Sequence, residues 1–179
     1  MYNCHNCNSN KGSASISFII EKPSTQQKYY YFNSIHHGNC YEGIYYSVVD
    51  MTLDNGLGGV VPGQKEIPIN PNASSCMEVV PHANGTDYWL IVAPNNTQFN
   101  AYPVTSSGIG SPVISNNVAA NNKLGYFAAS HNGNYLIATA IESSVSPHAA
   151  ILYNFNQSTG QITMNRGLAQ HSQISPKSI

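Results

Sequence analysis

Charge is what this 179-residue chain has least of. Asp, Glu, Lys and Arg make up 8% of it, with a formal net charge of −1, against about a quarter in ordinary globular domains. Seven Lys and Arg, scattered from Lys11 to Lys177, form no basic stripe, which excludes nucleic acid as a partner. Disorder driven by charge is excluded too, because apolar residues reach 41% and twelve residues are Tyr. Long apolar runs are also missing. The best, Ile16 to Ile20, is far short of a membrane span. The opening "MYNCHNCNSNKG" has neither a basic nor an apolar leader region, so an export signal, if the protein is exported, is expected outside this chain. Helical periodicity is nowhere sustained, and Gly and Pro recur too often for long helices. What replaces charge is Asn, Ser, Thr and Gln, a neutral polar surface that fits an extracellular protein.

Cysteine is sparse: Cys4, Cys7, Cys40 and Cys76. Cys4, Cys7 and Cys40 with His36 or His37 would have ligand types acceptable to zinc, but the usual paired-knuckle spacing is absent. The expectation is therefore no metal and no cofactor, with Cys40 and Cys76 unliganded and Cys4 and Cys7 in a flexible terminus or a local bridge.

A repeat is present instead. "VVDMTLDNGLG", "FNAYPVTSSGIG" and "ILYNFNQSTGQI" place Gly56, Gly108 and Gly160 at a constant spacing of 52 residues, each after an apolar strand and small polar residues. "HANGTDYWLIVA" and "HNGNYLIATA" add an Asn-Gly turn before an aromatic-led strand, at Asn84-Gly85 and Asn132-Gly133. Asn-Gly between apolar runs is a hairpin signal, because both residues tolerate positive φ. The first unit has no Asn-Gly and is expected to use a longer connection through Pro23. Each unit divides into about four short strands. Four-stranded units of this length are the signature of β-propeller blades, whereas a sandwich does not require such a period. The reading is an all-β, β-propeller segment of about three four-stranded antiparallel blades (13–70, 74–117 and 123–170), flanked by flexible segments 1–12 and 171–179. Propellers close with four to eight blades, so three imply part of a larger propeller.

The strings "GIYYSVVDMTLDNGLGGVV" and "HANGTDYWLIV", with the later "LGY…S-NG-YL" opening, resemble the N-terminal propeller region of large secreted bacterial proteins. Those proteins, largely of Bacteroidetes, carry a gliding-motility-type C-terminal sorting domain and use the type IX secretion route. The resemblance is strongest from Ser13 to Ile162. One departure is Ser130-His131-Asn132-Gly133, where such relatives usually have Ser-Pro-Asp-Gly. The resemblance implies a secreted or cell-surface binding or display module, with no shared catalytic residues.

The residues agree with a non-catalytic role. Eight carboxylates include Glu78, Asp87 and Glu142 as conceivable members of a cleft, but nothing pairs an acid with a base. An extracellular polysaccharide hydrolase or lyase using them is the alternative. No serine sits in a nucleophile elbow, and no glycine-rich loop opens a helix. His82 and His131 both precede an Asn-Gly turn and are expected at corresponding corners. They serve either as scaffold or, with Asp87 and Trp89, as a ligand rim. The tyrosines fill space between stacked sheets, and Trp89 packs between blades. Expected partners are a protein or glycan ligand and the neighbouring blades of a longer chain. Self-association through open blade faces is also expected, near Ile16 and Phe18 in the first unit and near Leu136 and Ile137 in the third.

Overall fold

The computed structural model describes residues 16–37, 41–71, 73, 76–95, 98–116, 123–141 and 148–169. Among these the chain is all β, with one short 3-10 turn at Asp54–Gly56 and no α-helix. Three antiparallel sheets follow one another along the sequence. Sheet I holds β1 (Ser17–Glu21), β2 (Lys28–His37), β3 (Tyr41–Asp50), β4 (Gly59–Val60) and β5 (Ile67–Asn70). Sheet II holds β6 (Met77–Pro81), β7 (Tyr88–Asn95), β8 (Gln98–Thr105), β9 (Gly108–Ile109) and β10 (Val113–Asn116). Sheet III holds β11 (Lys123–Ala129), β12 (Tyr135–Ile141), β13 (His148–Phe155) and β14 (Ile162–Ala169).

Each sheet is a four-position meander. In sheets I and II the fourth position is split, since β4 and β5 both pair with β3, and β9 and β10 both pair with β8. The breaks fall at Pro62-Gly63 and at Gly110-Ser111-Pro112. Proline brings no amide N–H to a ladder, and glycine lets the backbone turn away. The uninterrupted β14 contains no proline. Among the described residues fourteen strands therefore stand where twelve are expected.

Strand register establishes which residues correspond. Glu21 pairs with Tyr29 and Tyr29 with Val49 in sheet I. Pro81, Tyr88 and Val104 are linked in the same way in sheet II, and Ala129, Leu136 and Tyr153 in sheet III. The first hairpins close alike. Lys22, His82 and Ser130 each donate their N–H to Lys28, Asp87 and Tyr135 respectively, and their carbonyls accept from Thr25, Gly85 and Gly133. The first unit thus keeps this turn without Asn-Gly, accommodating one extra residue with Ser24 and Gln27 at φ of 56° and 61°. His82 corresponds to Ser130, so the expectation that His82 and His131 share a corner is wrong by one position.

The glycine period also needs correction. The turns between third and fourth strands span 51–58, 106–107 and 157–160. Gly56 lies in the 3-10 turn, Gly108 opens β9 and Gly160 ends its turn. The equal spacing marks the same hairpin three times, not the same place within it.

Alternation along the strands puts successive side chains on opposite faces. In sheet II, Leu90 and Val92 point one way and join Tyr30, Phe32, Ile44 and Val48 of sheet I in one cluster. Trp89, Ile91 and Ala93 point the other way and join Leu136, Ala138, Ile151 and Tyr153 of sheet III in a second. The middle sheet is covered on both faces. The order is directional: the face carrying Tyr30 in sheet I and Trp89 in sheet II packs on the following sheet. That is the forward face of each sheet, and its opposite is the back face. Between sheets II and III the backbones approach most closely at their first strands, β6 and β11.

Candidate functional site

The rim residues lie where sheets II and III meet at their turns. Asn84 Oδ1 accepts from the N–H groups of Thr86 and Asp87, at 3.0 Å each, and its Nδ2 donates to Asp87 Oδ2 at 2.8 Å. Asp87 is therefore engaged inside its own turn. His82 Nδ1 accepts from the Asn84 N–H at 3.0 Å, and its ring stacks on Trp89 at 5.2 Å between centroids. Trp89 is buried, and its Nε1–H donates to the Gln157 carbonyl at 2.7 Å. The same carbonyl accepts from Ala83 at 3.2 Å. Sequence reasoning names three members of this cluster, His82, Asp87 and Trp89. His131 lies on the exposed side of the neighbouring turn and is not brought to Trp89.

Gln157 is the residue that sequence reasoning misses. It holds sheet II through its carbonyl, while its Nε2 donates to the Asn132 carbonyl at 3.1 Å. Only its place after an apolar strand, in "NFNQSTG", hinted at a turn. Around it opens a cleft of about 500 Å³, lined by Asn134, Asn154, Asn156, Gln157, Ser158 and Gln161 among others. Amides and hydroxyls line most of it, with Ala83 and Phe155 as its apolar part and no carboxylate or cation. Paired donors and acceptors of this kind suit a neutral polar ligand such as a sugar hydroxyl or a peptide amide.

A second groove of about 460 Å³ crosses the forward face of sheet III, over Tyr135, Ile137, Leu152 and Arg166. Ile137 is 43% exposed there. The corresponding residues Tyr30 and Trp89 are buried by the next sheet. On the back face of sheet I, Ile19 and Tyr31 are exposed, with Ser17 and Glu21 exposed beside Ile19. Ile16 and Phe18, expected on the bare face, instead pack toward sheet II, and Leu136 packs toward sheet II as well.

Among the described residues, Glu78 and Asp87 do not assemble. Glu78 lies on β6 opposite Ile91, with its oxygens on the N–H groups of Val79 and Ala129 at 3.1 and 3.3 Å. Burial pushes its carboxyl up, opposed by those two hydrogen bonds. Asp87 is four residues before Ile91, about 13 Å away along the strand direction. Paired glycosidase carboxylates stand about 5–9.5 Å apart. Glu142 lies outside the described residues.

Cys76 is buried and disulfide-bonded, which corrects the expectation of an unliganded thiol there. Its partner lies outside the described residues, as do Cys4, Cys7, Cys40 and the termini 1–12 and 171–179; nothing is described of the side chains of His36 and His37. Among the described residues no three His, Cys, Asp or Glu side chains group as metal ligands, and no helix is long and apolar enough to cross a membrane. No family model matches the chain, and no curated protein matches it.

Proposed function

We propose that this chain is a non-catalytic β-propeller segment of a secreted or cell-surface protein, acting as a binding or scaffold module. The observation that carries it is the directional stacking of three like meanders, forward face on back face, with sheets II and III closest at their first strands. Sheets that converge at one edge and splay at the other are the wedge from which a ring of blades is built. The resemblance of "GIYYSVVDMTLDNGLGGVV" and "HANGTDYWLIV" to secreted gliding-motility-type proteins supports the same reading. The Cys76 disulfide and the near absence of charge fit an oxidising, extracytoplasmic setting.

The ligand surface is the amide-lined cleft around Gln157, and its ligand is a neutral glycan or a peptide. Calorimetric titration with panels of both tests this. Binding that is weakened by Asn134→Ala and Asn154→Ala is the expected result. Release of reducing ends or unsaturated sugars from a polysaccharide, abolished by Glu78→Gln, would favour the hydrolase or lyase alternative and overturn the non-catalytic reading. An experimental structure with two face-packed sheets joined by Greek-key crossings would overturn the propeller.

A further inference from the structure

The two end faces are the same two surfaces that meet inside the molecule. On the forward faces, Tyr30 pairs with Val48, Trp89 with Pro103 and Ile137 with Leu152 at corresponding register positions. Tyr30, Val48 and Trp89 are covered by the next sheet; Ile137 and Leu152 line the open groove. On the back faces, Tyr31, Leu90 and Ala138 correspond. Leu90 and Ala138 are fully buried against the preceding sheet, while Tyr31 and its neighbour Ile19 are 39% and 63% exposed. We propose that the forward face of sheet III docks on the back face of sheet I of a second copy of this chain, continuing the stacking order across the molecular boundary. The proposal rests on the stacking part of the reading above and not on the ligand role of the cleft.

The chemistry of the two ends favours each other over an internal-type contact. Inside the chain, the aromatic at this position donates a hydrogen bond to a carbonyl at the end of the following sheet's third strand or in the turn after it: Tyr30 Oη to Thr105 O at 3.4 Å, and Trp89 Nε1 to Gln157 O at 2.7 Å. Ile137 has no donor. The corresponding turn of sheet I, residues 51–58, exposes Leu57 at 78% and Met51 at 38%. An aliphatic side chain thus replaces the donor on one end, and apolar side chains flank the acceptor position on the other. Burying both removes apolar surface from water, and the charges the two faces carry, Arg166 in the groove and Glu21 beside Ile19, are opposite in sign. Such a contact is heterologous, so each copy offers one forward and one back face.

That asymmetry supplies the test. Ile137→Arg blocks the forward face and Ile19→Arg the back face. Both residues are exposed, so circular dichroism and Trp89 emission should stay native. Sedimentation velocity is expected to show wild-type chain associating with concentration, each variant alone as a monomer, and an equimolar mixture of the two forming a heterodimer and nothing larger. The mixture recovers one intact interface because one variant keeps its forward face and the other its back face. A monomeric wild type, a mixture that stays monomeric, or association blocked by Ile137→Arg but not by Ile19→Arg would each overturn the proposal. Tyr31→Glu and Leu152→Arg repeat the test if either first variant unfolds. Small-angle scattering of the monomeric variants separates the two readings. A three-sheet wedge with no complementation removes the docking alone, whereas a two-layer sandwich removes the stacking order beneath it.

Discussion

Gly160 and Gly85 provide a matched pair of perturbations. Both have φ of 74°, in the left-handed region, where a side chain costs about 1–2 kcal/mol through its clash with the following carbonyl. Their surroundings differ. A Cβ on Gly85 meets nothing within 4 Å, whereas one on Gly160 stands 2.7 and 2.8 Å from Cζ3 and Cη2 of Trp89. The indole cannot retreat easily, because its Nε1–H is bonded to Gln157 and its other side touches His82 and Phe155. Overpacking a filled core adds about 1–3 kcal/mol. Gly85→Ala should therefore cost about 1–2 kcal/mol from its backbone alone, and Gly160→Ala about 1–3 kcal/mol more than that. Urea unfolding at matched protein concentration, followed by emission from the single tryptophan, measures both. For a chain of this size roughly 2–4 °C of melting temperature accompanies each kcal/mol, so thermal scans give an independent reading. Equal destabilisation by the two substitutions would refute the idea that the third turn of sheet III is held close against Trp89.

Two further outcomes follow from polar groups between and within the sheets. Ser115 is buried, and its Oγ accepts from the Ile162 N–H and from Gln161 Nε2, both at 2.9 Å; Ser115→Ala should cost about 1–3 kcal/mol by leaving a buried N–H unpaired. By contrast, the buried Tyr153 hydroxyl has no partner among the described residues, so Tyr153→Phe should be neutral or stabilising in the same unfolding assay, and a large loss would disprove this. Two carboxyls shape stability against pH with opposite sign. Glu78 is raised above 4.5 by burial, so its contribution is complete below about pH 4.5 and is lost as pH rises through its folded value. Asp50 is lowered to about 2 by hydrogen bonds from the Thr52 hydroxyl and N–H and then from Lys28, so its contribution is present above pH 3.8 and is lost as pH falls toward 2. Glu78→Gln should flatten the decline above pH 4.5 and Asp50→Asn the acid limb; unchanged denaturation midpoints across either window would contradict the assignment.

How far the residues alone carry depends on the range of the interaction. Alternation in "SISFII" and the Asn-Gly turns are local signals, and the apolar run that ends before "SSGIG" is a strand, Gln98–Thr105. The three-sheet division follows from the same signals. What escapes is set by backbone hydrogen bonds between residues whose spacing varies. The Lys22 turn reproduces the His82 and Ser130 turns with different residues, which no composition rule would align. His131 falls one place off His82 because the two loops place the histidine differently around an identical turn. The face chosen by Ile16 and Phe18 depends on strand parity, and parity is not fixed until the pairing with β2 is known. Among the site residues, Trp89 is visible as the one tryptophan. Gln157 is not, because its carbonyl is its contribution and every residue has one. The partnership of Glu78 with Ala129 is also unreadable, since it joins two sheets across 51 positions.

The hairpins also set the covalent lifetime of the chain. Asparagine followed by glycine ages chemically when the glycine nitrogen attacks the asparagine side-chain carbonyl, closing a succinimide that reopens as aspartate or isoaspartate. In both Asn-Gly turns that nitrogen is occupied: Gly85 donates to His82 at 3.0 Å and Gly133 to Ser130 at 2.8 Å. The asparagine oxygens are occupied as well, by the N–H groups of Thr86 and Asn134. The hydrogen bonds that define the first hairpins of sheets II and III therefore also protect their weakest residues. Each opening of a turn exposes it to an irreversible change that adds a negative charge to a chain with few charges of either sign. Folded, the protein keeps its own clock slow; the rate at which these turns fray is the rate at which it ages.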